Sequence, residues 1–214
     1  MMNTFIFDMD GVIVDSEYTY FKSKSDILHE EGHDVPDSYH YQFMGTTPDF
    51  MWQSMKDEFH LPKAVNEYVM EMNRRREEII QKDGVQLIAN VKDLIKRLYQ
   101  AGFKLGVASA SRKEEIIYNL KELGLDTYFS QAVSAEEVPH SKPAPDVFLH
   151  TADLLDAASD DCVVIEDTKN GSRAAKAAGM YCIGFANPDY PKQDLSCADE
   201  IVTDFREIDA KQFQ

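Results

Sequence analysis

The first apolar positions of the chain form a short continuous run, Phe5-Ile6-Phe7, which ends at Asp8. Because no polar position interrupts it, this run is typical of a strand buried on both faces of a parallel sheet. Beyond residue 90, similar runs alternate with segments whose apolar positions follow helical spacing. The pattern predicts an α/β fold with a Rossmann-like parallel sheet. Its strands are expected at residues 4–8, 103–109, 129–133, 162–166, 181–185 and 200–203.

The segments between the later strands predict helices. Three of them are followed by a glycine, which is common where a helix ends because glycine adopts the left-handed conformation there at little cost. The predicted helices span Val91–Ala101, Lys113–Leu123, Asp146–Leu155 and Ser172–Ala178.

Residues 16–82 have a different pattern, with helical spacing and few β-branched runs. Phe21, Ile27 and Leu28 predict one helix, Met51, Trp52 and Met55 predict a second, and residues 67–81 predict a third. The chain is therefore expected to hold a core domain, residues 1–15 and 83–214, and an all-helical insertion, residues 16–82, placed directly after the first strand.

The net charge of −16 makes nucleic acid an improbable partner, because phosphate backbones bind basic surfaces. No apolar stretch of about 18 residues predicts a membrane span, and the chain does not open on a basic and apolar signal segment. A cytoplasmic location is expected. Oligomeric state is not determined by the sequence, with a monomer favoured. A phosphorylated ligand would need local positive charge, which a divalent cation and Lys142 could supply.

Acidic or small polar residues follow three of the predicted strands. Asp8 and Asp10 follow the first, Ser109 stands at the end of the second, and Glu166 and Asp167 follow the run at 162–165. The carboxyl ends of parallel strands meet at one edge of the sheet, which is the ligand crevice of open α/β folds. Burying several carboxylates together raises the free energy of the folded state. This arrangement therefore favours a site that binds a cation or carries out a reaction.

The segments FDMDGVIVDSE, ASASR, SKPAPD and VIEDTKNG occur in the order and at the spacing of the haloacid dehalogenase-like hydrolases. The chain resembles this family over about residues 3 to 205, and within it the branch of β-phosphoglucomutase and small sugar-phosphate phosphatases. The resemblance implies a phosphohydrolase with a Rossmann-like core, in which the inserted helices form a helical-bundle cap.

The resemblance also implies roles for individual residues. Asp8 would be the nucleophile that forms an aspartyl-phosphate, and Asp10 the general acid and base. The Ser109 hydroxyl and the Ala110 backbone N–H would bind the transferring phosphoryl oxygens. Lys142, in a stiff proline-containing loop, would direct its charge at Asp8 and the phosphate.

Mg²⁺ is the expected cofactor, because it takes oxygen ligands and relieves the repulsion between carboxylates. Its expected ligands are the Asp8 carboxylate, the Asp10 backbone carbonyl and Asp167, with Glu166 bound directly or through water. Ser111 is interpreted as the cap of the following helix rather than as a phosphate ligand.

The substrate is predicted to be a small phosphorylated metabolite, and a sugar phosphate is favoured. A β-phosphoglucomutase-like phosphomutase is the alternative, but Thr19 and Tyr20 stand where mutases usually carry a histidine, and the segment from Gly45 to Asp49 lacks their arginine. The consecutive arginines 74–76 are interpreted as a solvated helix face. A second alternative is a non-catalytic sensor of phosphorylated metabolites, although a sensor would need no nucleophile.

Overall fold

The computed structural model describes residues 2–43 and 46–214. The chain divides into two units, Met1–Asp15 with Val85–Gln214, called the core, and Ser16–Gly84, called the cap. Gly45, the first residue of the segment that was compared with phosphomutases, lies outside the described residues. None of the helices in the described ranges combines the length and the apolar content that a membrane crossing requires.

The core contains one parallel sheet. Its strands are β1 (Thr4–Phe7), β2 (Lys104–Ser109), β3 (Gln131–Ser134), β4 (Cys162–Glu166), β5 (Tyr181–Phe185) and β6 (Glu200–Val202). They lie in the order β3-β2-β1-β4-β5-β6, and every neighbouring pair is parallel. The order reverses at β1, so the crevice at its carboxyl end is the topological switch point where such sheets bind ligands.

The cap consists of α1 (Ser16–Glu30), α2 (Asp37–His40), α3 (Pro48–Phe59) and α4 (Val65–Asp83). It has a hydrophobic cluster of its own, in which the fully buried rings of Trp52 and Tyr68 stack with their centroids 5.0 Å apart. Met55 and Met72 complete the packing between α3 and α4. The apolar stripes of these helices are therefore explained by packing within the cap.

Helices α5 (Val91–Gln100), α6 (Lys113–Glu122), α7 (Asp146–Leu154) and α8 (Lys169–Ala177) cover the two faces of the sheet. Side chains along β1 alternate between two hydrophobic clusters. Phe5 and Phe7 pack in the cluster that includes α5 and α6, and Ile6 packs in the cluster that includes α7 and α8. Burial on both faces explains the uninterrupted apolar runs. The predicted α/β fold with a Rossmann-like core and a helical insertion after the first strand is confirmed.

Several bounds differ from the prediction by one or two residues, as at β3 (predicted 129–133) and α4 (predicted 67–81), and helices α2 and α8 differ more. The short helix α2 was not predicted, because its sequence Asp37-Ser38-Tyr39-His40 has no apolar periodicity. Helix α8 begins at Lys169, earlier than the predicted Ser172, because the Thr168 side chain caps it by accepting the Gly171 N–H at 3.0 Å. Apolar spacing locates the buried middle of a helix, whereas capping by a polar side chain determines where it begins.

Candidate active site

The carboxyl end of β1 places a buried carboxylate in the switch-point crevice. Asp8 directly follows the strand, and its backbone N–H donates to the carbonyl of Ile165 on β4 at 3.0 Å. Its exposed fraction is 6%, and the Lys142 Nζ donates to its Oδ1 at 2.6 Å. The side chain is thus held in one orientation, with little exposure to water.

Lys142 connects two strand ends. Its Nζ also donates to Glu166 Oε1 at 2.8 Å and to the carbonyl of Ala108 at 3.2 Å. Burial alone would lower the pKa of Lys142, but the attraction of Asp8 and Glu166 outweighs it and raises that pKa above its ordinary value. The lysine is therefore a fixed positive charge at neutral pH.

Glu166, the last residue of β4, has both carboxylate oxygens bound by protein donors. Lys142 occupies Oε1, while the Thr168 N–H and hydroxyl donate to Oε2 at 2.8 and 2.9 Å. Gly171 makes room for it, since a Cβ there would meet the Glu166 carboxylate at 1.7 Å. Sequence analysis did not identify Thr168, although its position two residues after Glu166, at the start of a helix, was a signal of a capping side chain.

The carboxylates of Asp8, Glu166 and Asp167 offer oxygens that all lie within 4.8 Å of one another. Asp167 Oδ1 is buried and has no hydrogen-bond partner in the described part of the chain. Gly11, at φ +78°, lets the backbone pass beside this carboxylate, because a Cβ would meet its Oδ2 at 2.1 Å. An unsatisfied, buried oxygen within a cluster of hard oxygen donors fits a divalent cation such as Mg²⁺.

The pKa shifts of the carboxylates in this cluster also favour a bound cation. Burial, with the repulsion of Glu166 and Asp10, raises the pKa of Asp8 to about 7 despite the opposing effect of Lys142. Burial, Glu166 and Asp8 likewise raise the pKa of Asp167 well above its ordinary value. Without a cation, the ionised cluster is therefore disfavoured, which is the imbalance that a bound divalent ion removes.

Asp10 is held by a serine from the neighbouring strand end. The Ser111 hydroxyl donates to Asp10 Oδ2 at 2.6 Å, and the Ser134 hydroxyl fixes Ser111 by donating to its carbonyl at 2.7 Å. Helix α6 instead has Arg112 at its N-cap, without a side-chain capping bond. The interpretation of Ser111 as a helix cap was wrong, because its hydroxyl has a carboxylate within reach across the sheet edge. Ser134 was not identified from the sequence.

The two predicted phosphate-binding residues lie at the end of β2, the strand next to β1. Ser109 is the last residue of the strand and is fully buried, and its Oγ accepts the Ser111 N–H at 3.0 Å. Ala110 follows it and is exposed. The predicted residues from β1, β2, β4 and the Lys142 loop therefore all lie at one edge of the sheet.

Comparison with known families agrees with this geometry. The sequence profile described as haloacid dehalogenase-like hydrolase matches residues 5–185, a range that contains all of these strand ends and Lys142. The chain belongs to the haloacid dehalogenase-like hydrolases. The predicted family is confirmed, and with it the assignment of the protein as an enzyme of the hydrolase class.

Relatives of this hydrolase match it over most of its length. Hexitol phosphatase B of Escherichia coli (strain K12) is 30% identical over 193 residues, which cover 86% of this chain and 83% of that protein. Beta-phosphoglucomutase of Bacillus subtilis (strain 168) is 28% identical over 189 residues, covering 86% and 83%. A solved HAD family hydrolase from Deinococcus radiodurans R1, with bound phosphate and sodium, has a TM-score of 0.86 at 25% identity and covers 99% of this chain and 95% of that one.

Proposed function

We propose that the protein is a Mg²⁺-dependent phosphatase that hydrolyses a small phosphorylated metabolite through an aspartyl-phosphate on Asp8. The observation that supports this most strongly is the Asp8 carboxylate itself, buried at the switch point and held by Lys142 at 2.6 Å. A structural carboxylate would not need a second aspartate two residues away and an unsatisfied third one beside it.

In the first step, an Asp8 oxygen attacks the phosphorus while the bond to the leaving oxygen breaks. Asp10 donates its proton to that oxygen, so the product alcohol departs neutral and Asp10 becomes a carboxylate. Lys142, the Ser109 hydroxyl and the Ala110 N–H stabilise the charge on the phosphoryl oxygens. The result is a covalent acyl phosphate on Asp8.

In the second step, the Asp10 carboxylate removes a proton from water, and the resulting nucleophile attacks the phosphorus. Inorganic phosphate leaves, the Asp8 carboxylate is regenerated, and Asp10 is again protonated for the next turnover. The Ser111 hydrogen bond at 2.6 Å orients Asp10 for both transfers. One carboxyl group can thus serve as acid and then as base because the two half-reactions leave it in opposite protonation states.

The carboxylates of Asp8 and Asp167 and the backbone carbonyl of Asp10 would hold Mg²⁺, with Glu166 contributing directly or through water. A bound Mg²⁺ neutralises charge on the carboxylates and on the phosphoryl oxygens. Both Glu166 oxygens already accept hydrogen bonds from protein donors. This favours Glu166 as the residue that positions Lys142.

A sugar phosphate is the favoured substrate class, because the relatives include a hexitol phosphatase and a phosphorylated carbohydrates phosphatase. The phosphomutase alternative rests on the similarity to beta-phosphoglucomutase. The alternative of a non-catalytic sensor is less favoured, because a sensor would not need a nucleophile such as Asp8.

The test is phosphate release from a panel of sugar and nucleoside monophosphates, with Mg²⁺ and with excess chelator. We expect phosphate release that requires Mg²⁺. After rapid quenching, we also expect an acid-stable phosphoryl group bound covalently to Asp8. Interconversion of glucose 1-phosphate and glucose 6-phosphate without phosphate release would identify the mutase instead. Binding of phosphorylated compounds with neither reaction would identify the sensor.

A further inference from the structure

The edge strand β3 ends at a buried serine to which the proposed chemistry assigns no role. Ser134 is the last residue of β3 and is paired in register with Ser109, the last residue of β2. Its exposed fraction is 0%. A buried hydroxyl needs hydrogen-bond partners, because leaving it unpaired raises the free energy of the folded state. The identity of those partners shows which part of the chain Ser134 fixes.

The Ser134 hydroxyl connects two segments of the core. It donates to the carbonyl of Ser111 at 2.7 Å, and its oxygen accepts the backbone N–H of Glu136 at 3.1 Å. The backbone N–H of Ser134 donates to Glu137 Oε1 at 2.7 Å, so the turn that follows β3 is closed by a capping box. Because the oxygen is the acceptor in the capping bond, the hydroxyl proton is directed at Ser111.

A lysine on α6 holds the same turn. Lys113 Nζ pairs with Glu137 Oε1 at 3.1 Å and also donates to the carbonyl of Ala132 on β3. Although burial opposes the shift, the Ser134 N–H and Lys113 lower the pKa of Glu137 below its ordinary value. Glu137 is therefore a carboxylate at neutral pH, and it holds the turn that carries Ser134.

Ser111 is fixed at three points. Its backbone N–H donates to Ser109 Oγ at 3.0 Å, and its carbonyl accepts the Ser134 hydroxyl. Its own hydroxyl donates to Asp10 Oδ2 at 2.6 Å. Because the peptide groups on both sides of Ser111 are bonded, the direction of its Cα–Cβ bond is set before the hydroxyl meets Asp10. Ser134 therefore influences Asp10 through the backbone of Ser111.

We propose that Ser134 is a positioning residue for the proton transfers of Asp10 and that it acts through Ser111. The inference rests on the proposed phosphatase function and adds to it a residue from β3, which lies two strands from β1 in the sheet. Without the bond from Ser134, the peptide group after Ser111 can rotate, and the Ser111 hydroxyl is directed at Asp10 for less of the time. Loss of orientation in such a supporting contact slows the reaction without removing a reacting group.

The first test removes the Ser134 hydroxyl and compares leaving groups. Ser134→Ala is expected to reduce kcat/KM for alkyl phosphates about fivefold, and no more than Ser111→Ala does. Aryl phosphates with good leaving groups need less protonation by Asp10, so their kcat/KM should fall less. Ser134→Cys, in which a weaker donor replaces the hydroxyl, should lose less than Ser134→Ala and serves as the test if that variant does not fold. An equal loss for alkyl and aryl esters would overturn the proposal.

A double-mutant cycle tests whether the effect passes through Ser111. In the Ser111→Ala background, Ser134→Ala should change kcat/KM for alkyl phosphates less than about twofold, because the hydroxyl that Ser134 orients is already absent. Two independent contributions would instead multiply to a loss of about 25-fold to 50-fold. That result would overturn the proposal.

The matched control removes another buried hydroxyl of the core. The Thr151 hydroxyl is fully buried and, like that of Ser134, donates to a backbone carbonyl, in this case that of Val147 in α7 at 2.7 Å. Thr151→Val should leave kcat/KM unchanged for both kinds of ester. A loss in Thr151→Val with the same leaving-group dependence as in Ser134→Ala would overturn the proposal.

Amide hydrogen exchange separates this inference from the proposed reaction. The Ser111 N–H should exchange at least about fivefold faster in Ser134→Ala than in wild type, because its segment is released on one side. Thr151→Val should leave this rate unchanged. Absence of phosphate release by wild type from every ester would refute the proposed function. Unchanged exchange of the Ser111 N–H in Ser134→Ala would refute the positioning role, whether or not wild type turns over.

Discussion

The core and the cap each bury a lysine, and the two are in opposite electrostatic states. Lys142 in the core contacts two carboxylates at 2.6 and 2.8 Å, and their attraction raises its pKa. Lys24 in the cap has no such partner in the described chain, and burial lowers its pKa to about 8. A lysine paired within the protein keeps its charged form stable in a preorganised site, whereas burial without such a partner disfavours the charged form.

The largest expected effect concerns the partner of Lys142. Asp8→Asn should reduce phosphate release on the order of 10⁴-fold or more, because an amide cannot form the acyl phosphate. The midpoint of thermal unfolding should not fall, since the change removes one of several clustered carboxylates. Asp160→Asn, an exposed aspartate of the same unit, should leave activity unchanged. Turnover near wild type in Asp8→Asn would exclude this residue as the nucleophile.

Removing the lysines themselves tests the comparison directly. Lys142→Met leaves Asp8 and Glu166 buried without their shared cation, so we expect a loss of about 3–5 kcal/mol in the free energy of unfolding. Lys24→Met removes an unpaired charge and should be neutral or stabilising. Urea denaturation of both variants without divalent cation measures the difference. Similar losses in the two variants would show that Lys24 also has an internal partner.

The pH dependence of stability distinguishes the two lysines in a second way. The folded pKa of Lys24, about 8, lies below the ordinary lysine pKa of 10.5, so the unfolded chain binds more protons between these values. Stability should therefore rise with pH across that window, by at most about 3 kcal/mol from this group. Because the pKa of Lys142 is raised, its contribution to stability should instead fall as the pH rises, and it should do so at higher pH.

Denaturation of wild type and Lys24→Met at pH 8, 9 and 10 measures the contribution of Lys24, because all other groups titrate in both proteins. Between pH 8 and pH 10, the free energy of unfolding should increase more in wild type than in Lys24→Met. Parallel curves would mean that Lys24 is solvated in the folded protein.

The smallest expected effect concerns a single hydrogen bond in the core, from the Ser111 hydroxyl to Asp10. Ser111→Ala removes the donor to Asp10 Oδ2, and we expect a reduction of about fivefold to tenfold in kcat for alkyl phosphates. Aryl phosphates with good leaving groups need less protonation and should lose less. Ser111→Thr, which keeps the hydroxyl, should restore activity. An equal loss for alkyl and aryl esters would assign Ser111 a purely structural role.

The order of strands and helices was predictable because it depends on local patterns. The run Phe5-Ile6-Phe7 indicated a strand buried on both faces, and its end at Asp8 indicated the edge where ligands bind. Helix α2 and the start of α8 were less accessible, because a four-residue helix has no periodicity and a capping bond depends on a single side chain. The roles of the site residues remain predictions for the experiments above.

The sequence by itself determined the fold class, the family and which strand ends carry acidic or hydroxyl side chains, because these properties are encoded within a few neighbouring residues. Only the tertiary structure decided which charges are paired. Lys142 is distant in sequence from Asp8, and Ser111 bonds Asp10 rather than its own helix. Lys24 stands in a Lys-Ser-Lys stretch that resembles a solvated helix face, yet packing of the cap buries it. Charge pairing depends on distances of a few ångströms between side chains that only packing brings together.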